Sequence, residues 1–164
     1  MQIRIVHLSE GIAGHDGQVF GVIKTLRDAE YDISVKTVIV SWKIYALRGL
    51  LRLLSRKLSR YPNTISTRLI KLCYSITPIA DVDIVISGGA NLAPLNLALS
   101  KLLKVKNIHL SSPRDWRVSD FTAYITSTRV SESSSNLVPE IVPNQFDPKT
   151  VSYTHLRAHE TLNH

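Results

Sequence analysis

The feature that most constrains this chain is an alternation between short runs rich in Ile and Val and longer stretches with helical periodicity. The runs predict strands at residues 2–8, 33–40, 82–87, 106–111, 121–127 and 137–142. The periodicity predicts helices at residues 18–29, 43–60, 64–76 and 92–103. Strands separated by helices form a parallel sheet with helices on both faces. We therefore predict an α/β fold, a Rossmann-like, doubly wound, mostly parallel sheet, in which Pro139 makes the last strand either an edge strand or an interrupted one.

Size and composition exclude several classes of protein. The 164 residues suffice for one domain with a full hydrophobic core. The single cysteine, Cys73, excludes a disulfide framework and a multi-cysteine zinc site, and it fits a reducing compartment. No apolar run reaches the roughly 18 residues of a membrane span. No secretory signal precedes the first strand, so we expect a cytoplasmic protein, peripheral on a membrane at most.

The positive charge is concentrated in one segment. The formal net charge is +7, and the 48 residues between Asp32 and Asp81 contain nine basic and no acidic residues. The rest of the chain is close to neutral. Such a segment favours a polyanionic partner, either a membrane or a nucleic acid. Nucleic acid is the less expected partner, because aromatic residues make up only 7% and no recognisable reader motif is present.

Residues 43–60 predict an amphipathic helix. Leucines and Ile44 fall on one face of a helical wheel, and arginines follow one another at four-residue steps along another face. This pattern is typical of a helix that lies in an anionic membrane surface. The expected membrane-binding residues are Arg48, Leu51, Arg52, Leu54 and Arg56. The alternative is a helix that packs on the sheet through its leucines and leaves a solvated basic rim.

The glycine-rich loop predicted at residues 9–17 has the composition of a ligand site. Glycines let backbone amides approach a ligand, and the following helix N-terminus favours an anion. The expected substrate-binding residues here are Gly11, Gly14, Asp16 and Gln18. His15 can serve as a general base, a ligand contact or a helix cap. The alternative is a flexible turn in which Asp16 caps the helix.

Two further strand ends carry candidate binding residues. Gly88, Gly89 and Asn91 follow the strand at 82–87, where adjacent glycines favour close approach of a substrate or, alternatively, tight strand-to-helix packing. Arg114 follows the strand at 106–111 and suits a phosphate or carboxylate. A surface ion pair with Asp115 or Asp120 is the more common role for one arginine. His109 lies within a strand and is expected to be a satisfied core or face residue rather than a catalyst.

Three segments resemble one protein family. Residues 11–18, Gly-Ile-Ala-Gly-His-Asp-Gly-Gln, with Gly21, resemble the opening G-x-A-G-H-x-x-Q-x-x-G motif of the mitochondrial fission ELM-like family. Residues 83–94 and the Ser-Pro-Arg turn at 112–114 are similar to two further motifs, although Asn91 and Ser112 depart from them. The likeness covers residues 3–148. A looser likeness, through residues 13–15, is to the lipid-linked peptidoglycan GlcNAc transferases.

The resemblance implies a glycosyltransferase of the GT-B type. Such enzymes have two Rossmann-like domains, and the nucleotide-sugar donor binds mainly the C-terminal one. Residues 1–150 would then be the acceptor-side half, inactive alone, of an enzyme acting on a lipid-linked or envelope saccharide. The resemblance makes His15 the candidate catalytic base, and no metal or cofactor is expected. The alternative is a non-enzymatic membrane- or organelle-associated protein, as the fission name of the family implies.

The last fourteen residues, Val151–His164, do not share the pattern of the rest. His155 and His159 have a spacing that could bind a metal on a helix, and a frayed terminus is the simpler interpretation. The segment also resembles a translated sequencing-adapter peptide. We therefore expect it to be non-native, with a natural protein that continues differently after residue 150.

Overall fold

The computed structural model describes residues 2–47, 49–50, 53–54, 57, 63–111, 117–140 and 143. The predictions made for Arg48, Leu51, Arg52 and Arg56, for Arg114, and for the tail at 151–164 lie outside these residues. Within them, eight strands and three helices have both ends described, together with short 3-10 turns at Tyr45–Leu47 and Val118–Asp120. The strands are β1 (Ile3–Ser9), β2 (Ile33–Ile39), β3 (Ser41–Trp42), β4 (Tyr74–Ser75), β5 (Ile84–Gly88), β6 (Lys106–Leu110), β7 (Ala123–Ile125) and β8 (Asn136–Leu137). The helices are α1 (Ala13–Asp28), α2 (Thr64–Leu72) and α3 (Ala93–Leu103).

Six of the strands form one sheet in the order β2-β1-β5-β6-β7-β8. Every neighbouring pair in this sheet is parallel, which confirms the predicted Rossmann-like α/β fold. From β1 the chain first adds β2 on one side and later adds β5 on the other, so the winding reverses between β1 and β5. In sheets of this kind the crevice at that reversal is where ligands bind.

Helices cover both faces of the sheet. On one face α1 packs over β1, β5 and β6, and on the other α2 and α3 pack together against the sheet. The core under α1 is formed by Ile5, Val19, Val22, Ile23, Ile33, Ile86 and Leu110. The core on the opposite face includes Val6, Leu8, Val38, Ile70, Val85, Leu95 and Leu99. Burial of these branched side chains, about 1.5–3 kcal/mol each, holds the strand ends in register at the crevice.

The first helix begins earlier than the sequence predicted. The prediction placed residues 9–17 in a loop and the helix at 18–29, but α1 begins at Ala13. Its first turn is closed by hydrogen bonds from the amides of His15 and Asp16 to the carbonyl of Ile12. Two of the three glycines that indicated a loop, Gly14 and Gly17, lie in α1 instead, and Gly17 is buried there, which allows close packing on the sheet.

The second correction concerns the segment after the basic stretch. The predicted helix at 64–76 ends at Leu72, and Tyr74–Ser75 forms β4, which pairs antiparallel with Ser41–Trp42. The rings of Trp42 and Tyr74 stack with their centroids 4.5 Å apart, which favours this pairing over another helical turn.

The remaining predicted elements are shorter than expected or only partly described. In the predicted helix at 43–60, residues 45–47 form a 3-10 turn, and residues 49–50, 53–54 and 57 are helical. At the far end of the sheet, β8 is an edge strand, as predicted, and it ends before Pro139.

Candidate functional site

The reversal point between β1 and β5 brings two of the sequence-predicted loops together. Residues 10–12 follow β1, and residues 89–92 follow β5, its hydrogen-bonded neighbour in the sheet. Because parallel strands end at the same edge, these loops meet at the carboxyl end of the sheet. The first turn of α1 carries His15, and the backbone of His15 lies against Gly88 at the end of β5.

A hydrogen-bonded group of three side chains forms the centre of this site. Glu10 Oε1 lies 3.1 Å from His15 Nδ1, and Asn91 Nδ2 donates to Glu10 Oε2 at 3.0 Å. The Glu10 side chain is 14% exposed and the His15 side chain 38% exposed. Both carboxylate oxygens are therefore engaged, and the imidazole reaches solvent. We call Glu10 and His15 the dyad.

The partner of His15 decides which ring nitrogen carries the proton. An ionised carboxylate only accepts hydrogen bonds, so the contact requires a proton on Nδ1. The neutral ring then has its lone pair on Nε2, and no described residue hydrogen-bonds that nitrogen. This is the state that a general base needs, with one nitrogen oriented by a carboxylate and the other open to a substrate.

Two glycines make room for the dyad. A β-carbon at Gly88 would lie 3.0 Å from the carbonyl oxygen of His15, closer than almost all real contacts of that kind. Gly89 has a φ of +84°, a conformation that favours glycine. The adjacent glycines predicted from the sequence thus lie directly against the first turn of α1.

Asp16 takes a different role from the predicted helix cap. The N-cap of α1 is Ile12, which makes no side-chain hydrogen bond. Asp16 instead accepts a hydrogen bond from Ser9 Oγ at 2.8 Å, and its other oxygen lies 3.2 Å from Nε2 of the fully buried His7. Burial lowers the pKa of His7, and Asp16 partly offsets this shift. The amide of Gly11 donates to Ser9 Oγ, so Gly11 is tied to the same cluster.

A second buried polar chain crosses the neighbouring strands. Ser87 Oγ lies 2.8 Å from His109 Nδ1, and His109 Nε2 lies 3.1 Å from Ser111 Oγ. Ser111 in turn lies 2.8 Å from the hydroxyl of Tyr124, and Asn96 donates to Ser87. Burial, and secondarily the charge of nearby His15, lower the pKa of His109 to about 3. His109 is thus a neutral core residue, as expected.

The charges at the loop after β1 do not favour an anion. Two carboxylates, Glu10 and Asp16, lie beside the first turn of α1. They offset the attraction of the helix N-terminus for a phosphate. A neutral ligand with hydroxyl groups suits such a site better, because carboxylates and a neutral imidazole accept hydrogen bonds.

The structure brings together some of the predicted binding residues and separates others. His15, Asp16, Gly88, Gly89 and Asn91 gather at the crevice around the dyad. Gly14 is exposed in the first turn of α1, and Gln18 is half-buried one turn further along. No described residue makes a hydrogen bond with the Gln18 side chain.

Sequence reasoning missed Glu10 and Tyr74. Glu10 directly follows the first strand, a position where a polar side chain is a signal for the site. Tyr74 donates from its hydroxyl to the carbonyl of Asn91 at 2.8 Å, and nothing in the local sequence indicates this contact.

In the described part of the chain, no three His, Cys, Asp or Glu side chains are grouped so as to hold a metal. Its helices also include none with the length and apolar character needed to cross a bilayer. No protein-family model, curated protein or solved structure was found to match the chain.

Proposed function

We propose that this chain is the acceptor-binding half of a nucleotide-sugar-dependent glycosyltransferase, with His15 as the base that deprotonates the acceptor hydroxyl. The observation that carries the proposal is the dyad at the reversal point of the sheet. Glu10 fixes the proton on Nδ1 of His15 and leaves Nε2 open towards solvent. The similarity of residues 11–18 to the ELM-like family motif supports the same assignment, since that motif contains this histidine.

The reaction requires a nucleophilic sugar hydroxyl. His15 Nε2 accepts the proton of the acceptor hydroxyl. The oxygen of that hydroxyl attacks the anomeric carbon of the donor sugar, and the bond from this carbon to the nucleoside diphosphate breaks, so that the nucleoside diphosphate leaves. Base catalysis of this kind contributes roughly 10²–10⁴-fold to the rate. Glu10 stabilises the imidazolium that forms, because its carboxylate lies 3.1 Å from Nδ1.

The acceptor rather than the donor fits the crevice. Glu10 and Asp16 oppose a diphosphate at the first turn of α1, whereas sugar hydroxyls can donate to carboxylates. Gly88 and Gly89 lie beside the dyad and have no side chains, so a sugar ring can approach the backbone there. In this proposal the nucleotide-sugar binds a second domain, which would also stabilise the leaving diphosphate.

Ligand binding observed by NMR tests this proposal. Simple β-glycosides should perturb the signals of His15, Gly88 and Gly89, and His15→Gln should weaken binding at least tenfold. Lys101→Gln, in the last turn of α3, is the matched control and should bind like the wild type. The full chain should transfer no sugar by itself. Perturbation of the dyad by UDP-sugars or phosphate but not by glycosides would overturn the assignment.

The second candidate function is a non-enzymatic protein attached to a membrane or organelle surface. It is favoured by six apolar side chains that are exposed among the described residues between 44 and 54, within a segment that has no acidic residue. These exposed residues are Ile44, Tyr45, Leu47, Leu50, Leu53 and Leu54. Peripheral attachment through residues 43–60 is compatible with the enzyme as well, as it would hold the site near a lipid-linked acceptor.

Co-sedimentation with liposomes tests the attachment. We expect the wild type to bind anionic liposomes more strongly than neutral ones, and a variant with Gln at Arg48, Arg52, Arg56 and Arg60 to lose this preference. The two functions are then separated by His15→Gln, which removes acceptor binding only if the dyad works as proposed. Equal binding to both lipids, or no loss in the variant, would exclude attachment through these arginines.

A further inference from the structure

Helix α2 turns two polar side chains and one apolar side chain towards the protein, and its other apolar side chains face outwards. Its buried positions are Ser66, Thr67 and Ile70. The two hydroxyls are satisfied locally, because Ser66 forms a reciprocal capping box with Asn63 and Thr67 donates to the Asn63 carbonyl. The remaining apolar residues of α2, which are Ile65, Leu69 and Leu72, do not belong to the buried core.

Those apolar residues form a stripe on the outside. Ile65 is 72% exposed, Leu69 42% and Leu72 61%. Their spacing places them within about 60° of one another on the helix. A contiguous apolar stripe that stays in water costs free energy, so its retention on a surface is typical of a binding site.

The surrounding charges are all of one sign. Arg68 lies about 40° from Leu72 around the helix, and Lys71 follows it on the same side. Both residues are exposed, and no acidic residue occurs anywhere between 33 and 80. The partner of this face must therefore offer an apolar phase bordered by negative charge.

We propose that the outer face of α2, defined by Ile65, Arg68, Leu69, Lys71 and Leu72, docks onto an anionic lipid bilayer. Leucine and isoleucine would enter the boundary of the acyl chains while the two cations meet lipid phosphates. This surface goes beyond the proposed function, because α2 belongs neither to the site nor to residues 43–60. It does not depend on sugar transfer.

The position of α2 gives the docking a consequence for the site. The helix leads directly into Tyr74, whose hydroxyl donates to the Asn91 carbonyl. Asn91 in turn holds Glu10 of the dyad. A bilayer bound to α2 would thus lie next to the segment that contains Tyr74, which holds Glu10 in the crevice through Asn91.

Vesicle flotation of the full chain tests the proposal. The vesicles contain phosphatidylcholine alone or phosphatidylcholine mixed with phosphatidylglycerol. A triple variant with Ser at Ile65, Leu69 and Leu72 should lose binding to the mixed vesicles at least tenfold, since the changed side chains are exposed and the fold remains. Arg68→Gln with Lys71→Gln should lose about tenfold on mixed vesicles only. Tyr31→Ser with Val130→Ser, which removes exposed apolar groups elsewhere, is the matched control and should bind like the wild type.

Three results would overturn the proposal. The first is full binding by both α2 variants, which would assign any membrane attachment to residues 43–60 alone. The second is equal binding of the wild type to both kinds of vesicle. The third is self-association of the wild type in size-exclusion chromatography that the triple serine variant abolishes while vesicle binding stays unchanged, because α2 would then be an interface between copies of the chain.

Discussion

Gly89 lies so close to His15 that no side chain fits between them. A β-carbon at residue 89 would lie 2.8 Å from Glu10 Oε1 and closer still to His15 Nδ1. The backbone of Gly89 also has a positive φ of +84°. The positive φ favours glycine at residue 89, and a β-carbon there would also displace the side chains of the dyad.

A comparison of Gly89→Ala with Gly11→Ala should separate the effect of the positive φ from the effect of the limited space beside His15. Gly11 has a similar φ of +77°, but a β-carbon there would meet no atom within 4 Å. Gly11→Ala should lower the free energy of unfolding by about 1–2 kcal/mol through backbone strain alone. Gly89→Ala should cost about 1–3 kcal/mol more, because the dyad must also move. Chemical denaturation of both variants measures the difference, and equal losses would show that the space beside His15 is not limiting.

The hydroxyl of Tyr74 should position the dyad from a distance. It donates to the Asn91 carbonyl, and the Asn91 side chain donates to Glu10, which orients His15. Tyr74→Phe should lower the free energy of unfolding by about 1 kcal/mol and shift the nitrogen resonances of the His15 ring. Tyr31→Phe removes an exposed hydroxyl and is the control. An unchanged His15 spectrum in Tyr74→Phe would show that Asn91 is held by its loop alone.

The protein should lose stability in mild acid because of His109. Its pKa is lowered from 6.5 to about 3, first by burial and then by His15. Between these values the unfolded chain binds a proton that the folded chain does not. The free energy of unfolding therefore falls as the pH drops below about 6.5, by up to about 1.4 kcal/mol per pH unit. The buried His7, whose pKa is also lowered, acts in the same direction.

Denaturation of the wild type and of His109→Gln at several pH values between 4 and 7 checks this expectation. The variant is less stable overall, but its stability should fall less steeply with acid. Asp83 does not obscure the result, because Arg4 lowers its pKa to about 2 and its contribution is lost only below about pH 4. Identical slopes for the two proteins would assign the acid sensitivity to other groups.

The sheet could be predicted from the sequence because its strands are short apolar runs between helical stretches. β1, β2 and β5 fall within a residue or two of the prediction. The side chains of β1 and β5 are mostly buried, which makes their runs strongly apolar, whereas β2 is recognised by its Ile and Val content although most of its side chains are exposed. The start of α1 was wrong because glycine lowers helix propensity, whereas here it allows α1 to pack closely on the sheet. Local preference and tertiary packing point in opposite directions at this helix.

The site was predicted in part for a related reason. The predicted site residues follow or face the carboxyl ends of strands, where sheets of this kind bind ligands. These residues are His15, Gly88, Gly89 and Asn91. Their mutual contacts could not be predicted, because the distances from Glu10 to His15 and Asn91 depend on which strand lies beside β1. Sequence order alone does not give that neighbour.

Glu10→Gln should reverse the tautomer of His15. Asn91 donates from Nδ2 to one carboxylate oxygen of Glu10, so a glutamine at residue 10 would turn its amide oxygen towards Asn91. Its amide nitrogen would then donate to His15 Nδ1, which must accept, and the proton of the neutral ring would move to Nε2. The base would be lost although no atom of His15 had changed.

Nitrogen NMR of the neutral histidine ring measures the tautomer directly. The wild type should show a protonated Nδ1 and a bare Nε2, and Glu10→Gln should show the opposite pattern. Asp16→Asn, which alters the carboxylate beside His7 and leaves Glu10 in place, is the matched control and should keep the wild-type pattern. Under the proposed function, Glu10→Gln should reduce sugar transfer roughly 10²–10⁴-fold once the chain is combined with a donor-binding domain, as expected for loss of a general base. A wild-type His15 that already carries its proton on Nε2 would exclude Glu10 as its orienting partner, and with it the proposed base.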